Sequence, residues 1–258
     1  MILWKPAFYY MRGKIMYTKV ELKQQLQNTG LTGKETILIH SSMKAIGEVE
    51  GGADTVLDAW MEYFAEGLLL LPTHTWANVN AEQTVYDYRS TPSCVGLLTN
   101  LFRQRAGVVR SLHPTHSMAG FGEGATAYLA GEEDNNTPCT PGGAYDRLKD
   151  CGGKILLVGV GHERNTYIHS VEEVLNVPNR LSAETMELKT ILPDGTEKKV
   201  YMRKHYNAMQ PHISEAFVKL NQALLDCRAV EKYVTIQNRI RKIAAMQLSF
   251  CSCGYFAL

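Results

Sequence analysis

The chain has 258 residues, 45% of them hydrophobic and 21% charged, with a formal net charge of +1. That composition supports a sizeable core and excludes both a disordered chain and the electrostatic footprint of a sequence-independent nucleic-acid binder. No apolar run reaches the roughly 20 residues of a membrane helix, and Lys5, Arg12 and Lys14 interrupt the start before a signal-type segment forms, so a cytoplasmic monomer or homodimer acting on small molecules is expected.

Residues 1–15 read as an N-terminal extension ahead of a single domain over 16–258. Lys19 to Gly30 has helical spacing of Val20, Leu22 and Leu26, with Gly30 as its stop. Thr36 to His40 is a short apolar run that suits a buried strand, followed by Ser41 and Ser42 as candidate helix caps. Val56, Ala59, Trp60 and Tyr63 mark a helix starting near Asp54 or Thr55, and "GLLLLPTHTW" then gives a second buried strand closed by Pro72. Strand, helix, strand in this order predicts a parallel βαβ unit.

A loop-rich region from Ala77 to Ser93 leads to a short helix over Val95 to Arg105, and "VVRSLHPTHSMAGFG" is turn-rich at its centre. Helical segments follow at Gly122 to Ala130 and after the turn formers of "EEDNNTPCTPGGAYDRL". Gly153 to Gly161 is the third buried strand. "TMELKTILPDGTEKKVYMRKHY" alternates around a Pro-Asp-Gly-Thr turn, as a hairpin with one solvated face does. Ile213, Phe217, Leu220 and Leu224 predict a closing amphipathic helix. The fold class is α/β, a mixed sheet with a parallel βαβ core between helical layers plus an antiparallel hairpin. The six cysteines form no paired framework, and the C-x-C at Cys251 and Cys253 lacks the further ligands of a structural zinc site.

In open α/β sheets ligands bind beyond the carboxyl ends of parallel strands. "HSSMK", "PTHTW" and "GHERNTYIHSVEE" all fall at such ends, which points to one composite site. If Asn165 or Thr166 caps a helix, Thr166, His169, Glu172, Glu173 and Asn176 share a face while Ile168, Val171 and Leu175 form the buried stripe. A carboxylate on one imidazole nitrogen fixes the tautomer and makes a general base of His169, with Glu172 as partner and Glu173 in reserve; the alternative is an exposed surface pair. Ser41, Ser42 and Lys44 suit an anionic group, or ordinary capping. His74, His113 and His116 raise a metal site, but no cysteine or carboxylate stands at ligand spacing to them, so no metal is expected. Arg110 suits phosphate or carboxylate.

Six segments, "LIHSSMKAIGEVEGGADTVLDA", "GLLLLPTHTW", "VVRSLHPTHSMAGFG", "TPGGAYDRL", "GKILLVGVGHERNTYIHSVEE" and "NRL", resemble in order and spacing the antibiotic N-acetyltransferase family that includes the aminoglycoside 3-N-acetyltransferases. The resemblance implies an acetyl-CoA-dependent N-acetyltransferase acting by direct transfer on an amine of an aminoglycoside or similar small molecule, with an α/β fold distinct from the GNAT acetyltransferases. It places coenzyme A near Ser41, Ser42, Thr75, Arg110 and Ser111, and makes His169 the catalytic base with Glu172 and Thr166 as companions. The last 20 or so residues depart from the family pattern. Two other classes compete: a coenzyme A-binding protein without turnover, and a Ser/His/Glu hydrolase using Ser42 or Ser170, which lacks a G-x-S-x-G elbow.

Overall fold

The computed structural model describes residues 16–206, 212–233 and 243–247. In chain order its strands are β1 (Thr36–Ser41), β2 (Leu68–Pro72), β3 (Val85–Asp87), β4 (Val109–Arg110), β5 (Met118–Gly122), β6 (Lys154–Val158), β7 (Met186–Ile191), β8 (Glu197–Met202), β9 (Glu231–Tyr233) and β10 (Ile243–Gln247). The helices are α1 (Lys19–Asn28), α2 (Met43–Ile46), α3 (Gly52–Tyr63), α4 (Leu97–Phe102), α5 (Ala125–Tyr128), α6 (Arg147–Asp150), α7 (Tyr167–Val174) and α8 (Asn221–Asp226). Residues 1–15 and the Cys251–Cys253 pair lie outside the described residues, as does most of the atypical C-terminal stretch.

One sheet has seven strands in the order β4-β5-β2-β1-β6-β10-β9, and a second has three in the order β3-β7-β8. The three strands expected from the apolar runs form the parallel centre, with β1 between β2 and β6. Their runs are continuously apolar because both faces are covered. Ile37, Ile39, Leu69, Leu71, Leu156 and Val158 pack against α1, α3 and α4 through Leu26, Trp60, Phe64 and Phe102. Their neighbours Leu38, Leu68, Leu70, Ile155 and Leu157 face the opposite layer, with Leu129, Tyr145, Leu148 and Tyr167. The period of two thus assigns alternate residues to two cores.

Local chemistry sets the ends of the elements that matter to the site. Thr18 and Glu21 form a reciprocal capping box on α1, and Ser42 caps α2 by accepting from the Ala45 amide. Gly159, directly after β6, has φ +71°, and a Cβ there would lie 2.4 Å from that of Ala45, so only glycine lets α2 lie against the strand end.

Two expectations are revised, and one segment that the residue pattern left without an element proves to be a strand. "SMAGFG" contains strand β5, antiparallel to β2; its small residues are explained by the layer above, since a Cβ at Gly120 would meet Leu70 and Leu129 side chains within 3.2 Å. The β7–β8 hairpin is present but belongs to the second sheet, where β3 joins it in parallel around Tyr86, Leu188 and Met202. The closing helix is a 3-10 segment over Ile213–Leu220 followed by the short α8, and of its expected stripe only Phe217 is buried.

Candidate active site

Because β1, β2 and β6 are parallel, their carboxyl ends meet at one edge, and a cavity of about 690 Å³ opens there. This is the size of ordinary ligand clefts. Ser41 ends β1, His74 and Trp76 follow β2, and Glu163 to Thr166 with His169 follow β6. The wall also takes in the 79–82 loop, Thr115 and His116, Arg180, Arg203 to Tyr206 and His212 to Ser214.

Thr166 stands at the N-terminus of α7 and lines the cavity, although its side chain makes no capping bond. One turn later, His169 Nδ1 lies 2.7 Å from Glu172 Oε2. A contact this short with a carboxylate assigns the proton to Nδ1, leaving the Nε2 lone pair without a partner among the described residues. Glu172 is in turn clamped by Arg180, whose Nε and Nη2 donate to its two oxygens at 2.7 and 2.9 Å. Burial opposes the Glu172 charge, but the hydrogen bonds from His169 and Arg180 outweigh it and hold the carboxyl below its usual range. The His169 ring is also flanked by His205, at 4.1 Å between centroids, and by the Phe217 edge at 4.9 Å.

The expected polar face of α7 is only half correct. Glu173 is buried, and it accepts from the Cys139 amide at 2.8 Å and contacts His205 Nε2 at 3.0 Å. Glu172, not Glu173, is therefore the partner of His169. Burial pushes the Glu173 carboxyl above its usual range, and no Lys or Arg among the described residues is paired with it. His205, His116 and His74 continue from His169 as a row of rings, with centroid separations of 5.3 Å and 4.6 Å beyond His205. Burial first, then the positive charges around them (other histidines, and for His205 also Arg180), hold His205, His116 and His74 well below the ordinary histidine range, so these three are neutral.

A family model described as aminoglycoside 3-N-acetyltransferase matches residues 38–250. The chain is 30% identical over 228 residues to aminoglycoside N(3)-acetyltransferase VII of Streptomyces paromomycinus, covering 78% of this chain and 77% of that protein. The chain belongs to the aminoglycoside 3-N-acetyltransferase family. Aminoglycoside N(3)-acetyltransferase III of a Salmonella species is 28% identical over 182 residues, covering 64% of this chain and 63% of that relative. Among solved structures, a mutant of aminoglycoside acetyltransferase AAC(3)-IVa in complex with a gentamicin superimposes with a TM-score of 0.75 at 23% identity, over 92% of this chain and 86% of that one. AAC-IIIb in a binary structure with CoASH gives 0.71 at 18% identity, over 90% and 91%. These likenesses establish the shared α/β acetyltransferase fold.

Within this acetyltransferase the residues expected to hold coenzyme A separate. Ser41 lines the cavity, and its buried hydroxyl makes no hydrogen bond to a described residue. Ser42 serves as the α2 cap. Thr75, Arg110 and Ser111 lie behind the cavity wall rather than in its lining. Thr75 Oγ1 donates to the Pro114 carbonyl at 2.5 Å, and Ser111 Oγ accepts from the Met118 amide at 3.0 Å. Arg110 donates to the carbonyls of Thr73, Tyr88 and Thr91 and to the hydroxyls of Thr73 and Ser117. Its guanidinium nitrogens are all engaged by neutral oxygens, which leaves no open fork for a phosphate. Arg164 and Lys204, by contrast, line the cavity, are exposed and make no ion pair with a described residue.

Among described residues, Cys139, Glu173 and His205 bring ligand atoms within 4.8 Å of one another, yet Glu173 already engages His205 and the Cys139 amide. His113 likewise has both ring nitrogens occupied, one by the Thr115 and His116 amides and one by the Thr137 carbonyl. These donors serve the protein. Ser170, the alternative nucleophile, is 1% exposed and outside the cavity lining.

Sequence reasoning gave Arg180 and His205 no role. "NRL" was visible as a matching segment, but nothing in it shows that Arg180 turns back onto α7. Asn176 and Asn179 make that return, at φ 48° and 61°, left-handed values that asparagine tolerates. The membership of His205 in the site depends on the β8 end reaching across to Leu181.

Proposed function

We propose that the protein transfers an acetyl group from acetyl-CoA to an amine of an aminoglycoside or similar small molecule, with His169 as general base. The observation that carries this reading is the chain of contacts from Arg180 through Glu172 to His169 at the wall of the cavity. An amine that is largely protonated at neutral pH gives one proton to solvent to become a nucleophile, and must lose a second as its nitrogen bonds to the acyl carbon. His169 Nε2 is the atom placed to take it, while the Nδ1–H held by Glu172 keeps the imidazole in the right tautomer. Attack forms the C–N bond and moves the carbonyl π pair onto oxygen; return of that pair expels the thiolate of coenzyme A.

Ser41 has a hydroxyl in the lining with no partner among the described residues, which suits a donor to the developing oxyanion. Arg164 and Lys204 replace Arg110 as the cations suited to the phosphates of coenzyme A, because both line the cavity, are exposed and make no ion pair with a described residue. The test is free-thiol release from acetyl-CoA, with and without a panel of aminoglycosides and simpler amines, with product masses recorded. Release that requires the amine and adds one acetyl group is expected. Amine-independent release would instead indicate a hydrolase, and tight binding of coenzyme A without release would indicate a binding protein.

A further inference from the structure

The segment after β8 forms part of the cavity rim. His205 bridges to Leu181, with the Ser182 amide donating to the Lys204 carbonyl and the Tyr206 amide to the Arg180 carbonyl, both at 2.9 Å. Backbone paired in this way is extended, so its side chains alternate. His205 turns to one side, where its ring meets His169, and Lys204 and Tyr206 share the other, their Cα atoms about 7 Å apart. All three residues line the cavity. Tyr206 is 47% exposed, and among the described residues its hydroxyl makes no hydrogen bond and its ring meets no other ring. Lys204 is exposed without an ion pair to a described residue, and Arg164, exposed and unpaired in the same sense, lines the same cavity.

We propose that Lys204 and Tyr206 seat the nucleotide of coenzyme A, the phenol ring stacking on the adenine and the ammonium pairing with a phosphate. The inference rests on the acetyl-transfer reading given above. It adds a base platform to the phosphate cations and divides the cavity between the two substrates.

Charge chooses which substrate meets this rim. An acceptor with several amines carries several positive charges, which Lys204 and Arg164 repel, whereas a nucleotide brings phosphates to the cations and a purine to the ring. Side chains two apart on an extended chain stand side by side, as a base and the phosphate on its ribose do. A tyrosine face supplies stacking area at little cost in conformational freedom, since the ring has few torsions to fix. Trp76 is also exposed in the lining, but the charged group that the 76–82 segment brings there is Glu82, which suits a cationic acceptor and not a phosphate. A single exposed ring is ordinary on a protein surface, and the plainer reading leaves Tyr206 merely solvated.

Donors with and without the nucleotide separate the two. S-acetylpantetheine carries the same thioester and arm but neither adenine nor phosphate. With an amine that wild type accepts, the readout is kcat/KM for acetyl-CoA divided by kcat/KM for S-acetylpantetheine. In Tyr206→Ala this ratio should fall about fivefold or more, as when a base loses its aromatic platform. Tyr206→Phe keeps the ring and should keep the wild-type ratio. Lys204→Gln should lower the ratio too, and calorimetry should show its coenzyme A affinity declining less steeply with added salt. An unchanged ratio in Tyr206→Ala or in Lys204→Gln would overturn the seat, as would a loss in Tyr206→Phe equal to that in Tyr206→Ala. Because the ratio compares two donors on one protein, a variant that is only less stable leaves it where it was. Absence of amine-dependent thiol release in wild type would sink the acetyl-transfer reading itself, a result distinct from failure of the seat.

Discussion

Arg110 and Arg180 are buried to nearly the same degree, 6% and 5% exposed, and they serve opposite purposes. Arg110 lies behind the cavity wall and spends its donors on three carbonyls and two hydroxyls that tie the segment after β2 to the Tyr88–Thr91 turn. Arg180 lies in the cavity wall and meets a carboxylate that also holds an imidazole. Burial of an arginine therefore says little about an anion site; the charge and openness of its partners decide. A guanidinium among neutral oxygens is a brace, and one that pairs with a carboxylate holding an imidazole sets the electrostatics of that pair.

The largest expected effect belongs to the Arg180 side of that contrast. His169→Ala should lower kcat by about 10²–10⁴-fold with little change in melting temperature, as loss of a general base does. Steady-state kinetics with a verified amine acceptor checks it, and full activity would detach the whole Arg180 network from catalysis. Arg110→Ala comes next and should act on stability, at about 2–4 kcal/mol, because it strands buried carbonyls. Coenzyme A affinity per folded molecule should persist. Calorimetry that found normal stability with weakened coenzyme A binding would return Arg110 to the site.

Arg180→Ala should reduce kcat by roughly 10- to 100-fold, since Glu172 loses its bidentate clamp and its counter-charge. An unchanged rate would make the two arginines alike. The smallest effect is a pH dependence that both regions share. Burial holds His40 at about 3 and His113 at about 4, against an ordinary 6.5. Below about 6.5 the unfolded chain binds protons that these native histidines refuse, so stability is full above that pH and falls as the solution is acidified toward about 4. Melting temperatures measured from pH 8 to pH 4.5 should decline over the lower half of that range. A flat profile would mean that the imidazoles are more solvated than their burial implies.

Local sequence carried the parallel core. Thr36 to Ser41, Leu68 to Pro72 and Lys154 to Val158 are legible because a strand covered on both faces must be apolar throughout, and α1 and α3 are legible because one face of each is not. Strand β5 was not, since Met-Ala-Gly-Phe-Gly has the small residues of a turn, chosen here by the layer above. In the site, the i, i+3 spacing of His169 and Glu172 was readable because both sit on one helix. Glu173 was misplaced to the same polar face because periodicity cannot anticipate that a buried carboxyl will find Cys139 and His205, 34 and 32 residues away in the chain.

Residue patterns alone were enough for the α/β class, the three strand ends that converge on the cavity, and a histidine followed one turn later by a carboxylate, together with a family resemblance that the comparisons bear out. Each of those structural features depends on residues within a turn or a strand of one another, where backbone geometry fixes the relation. Packing was needed to reveal that Arg180 clamps Glu172, that Arg110 braces the wall instead of facing the cavity, and that His205 stacks on His169. Those contacts join segments distant in the chain, and a side chain's role there is set by which partners burial leaves it, a quantity that no local pattern encodes.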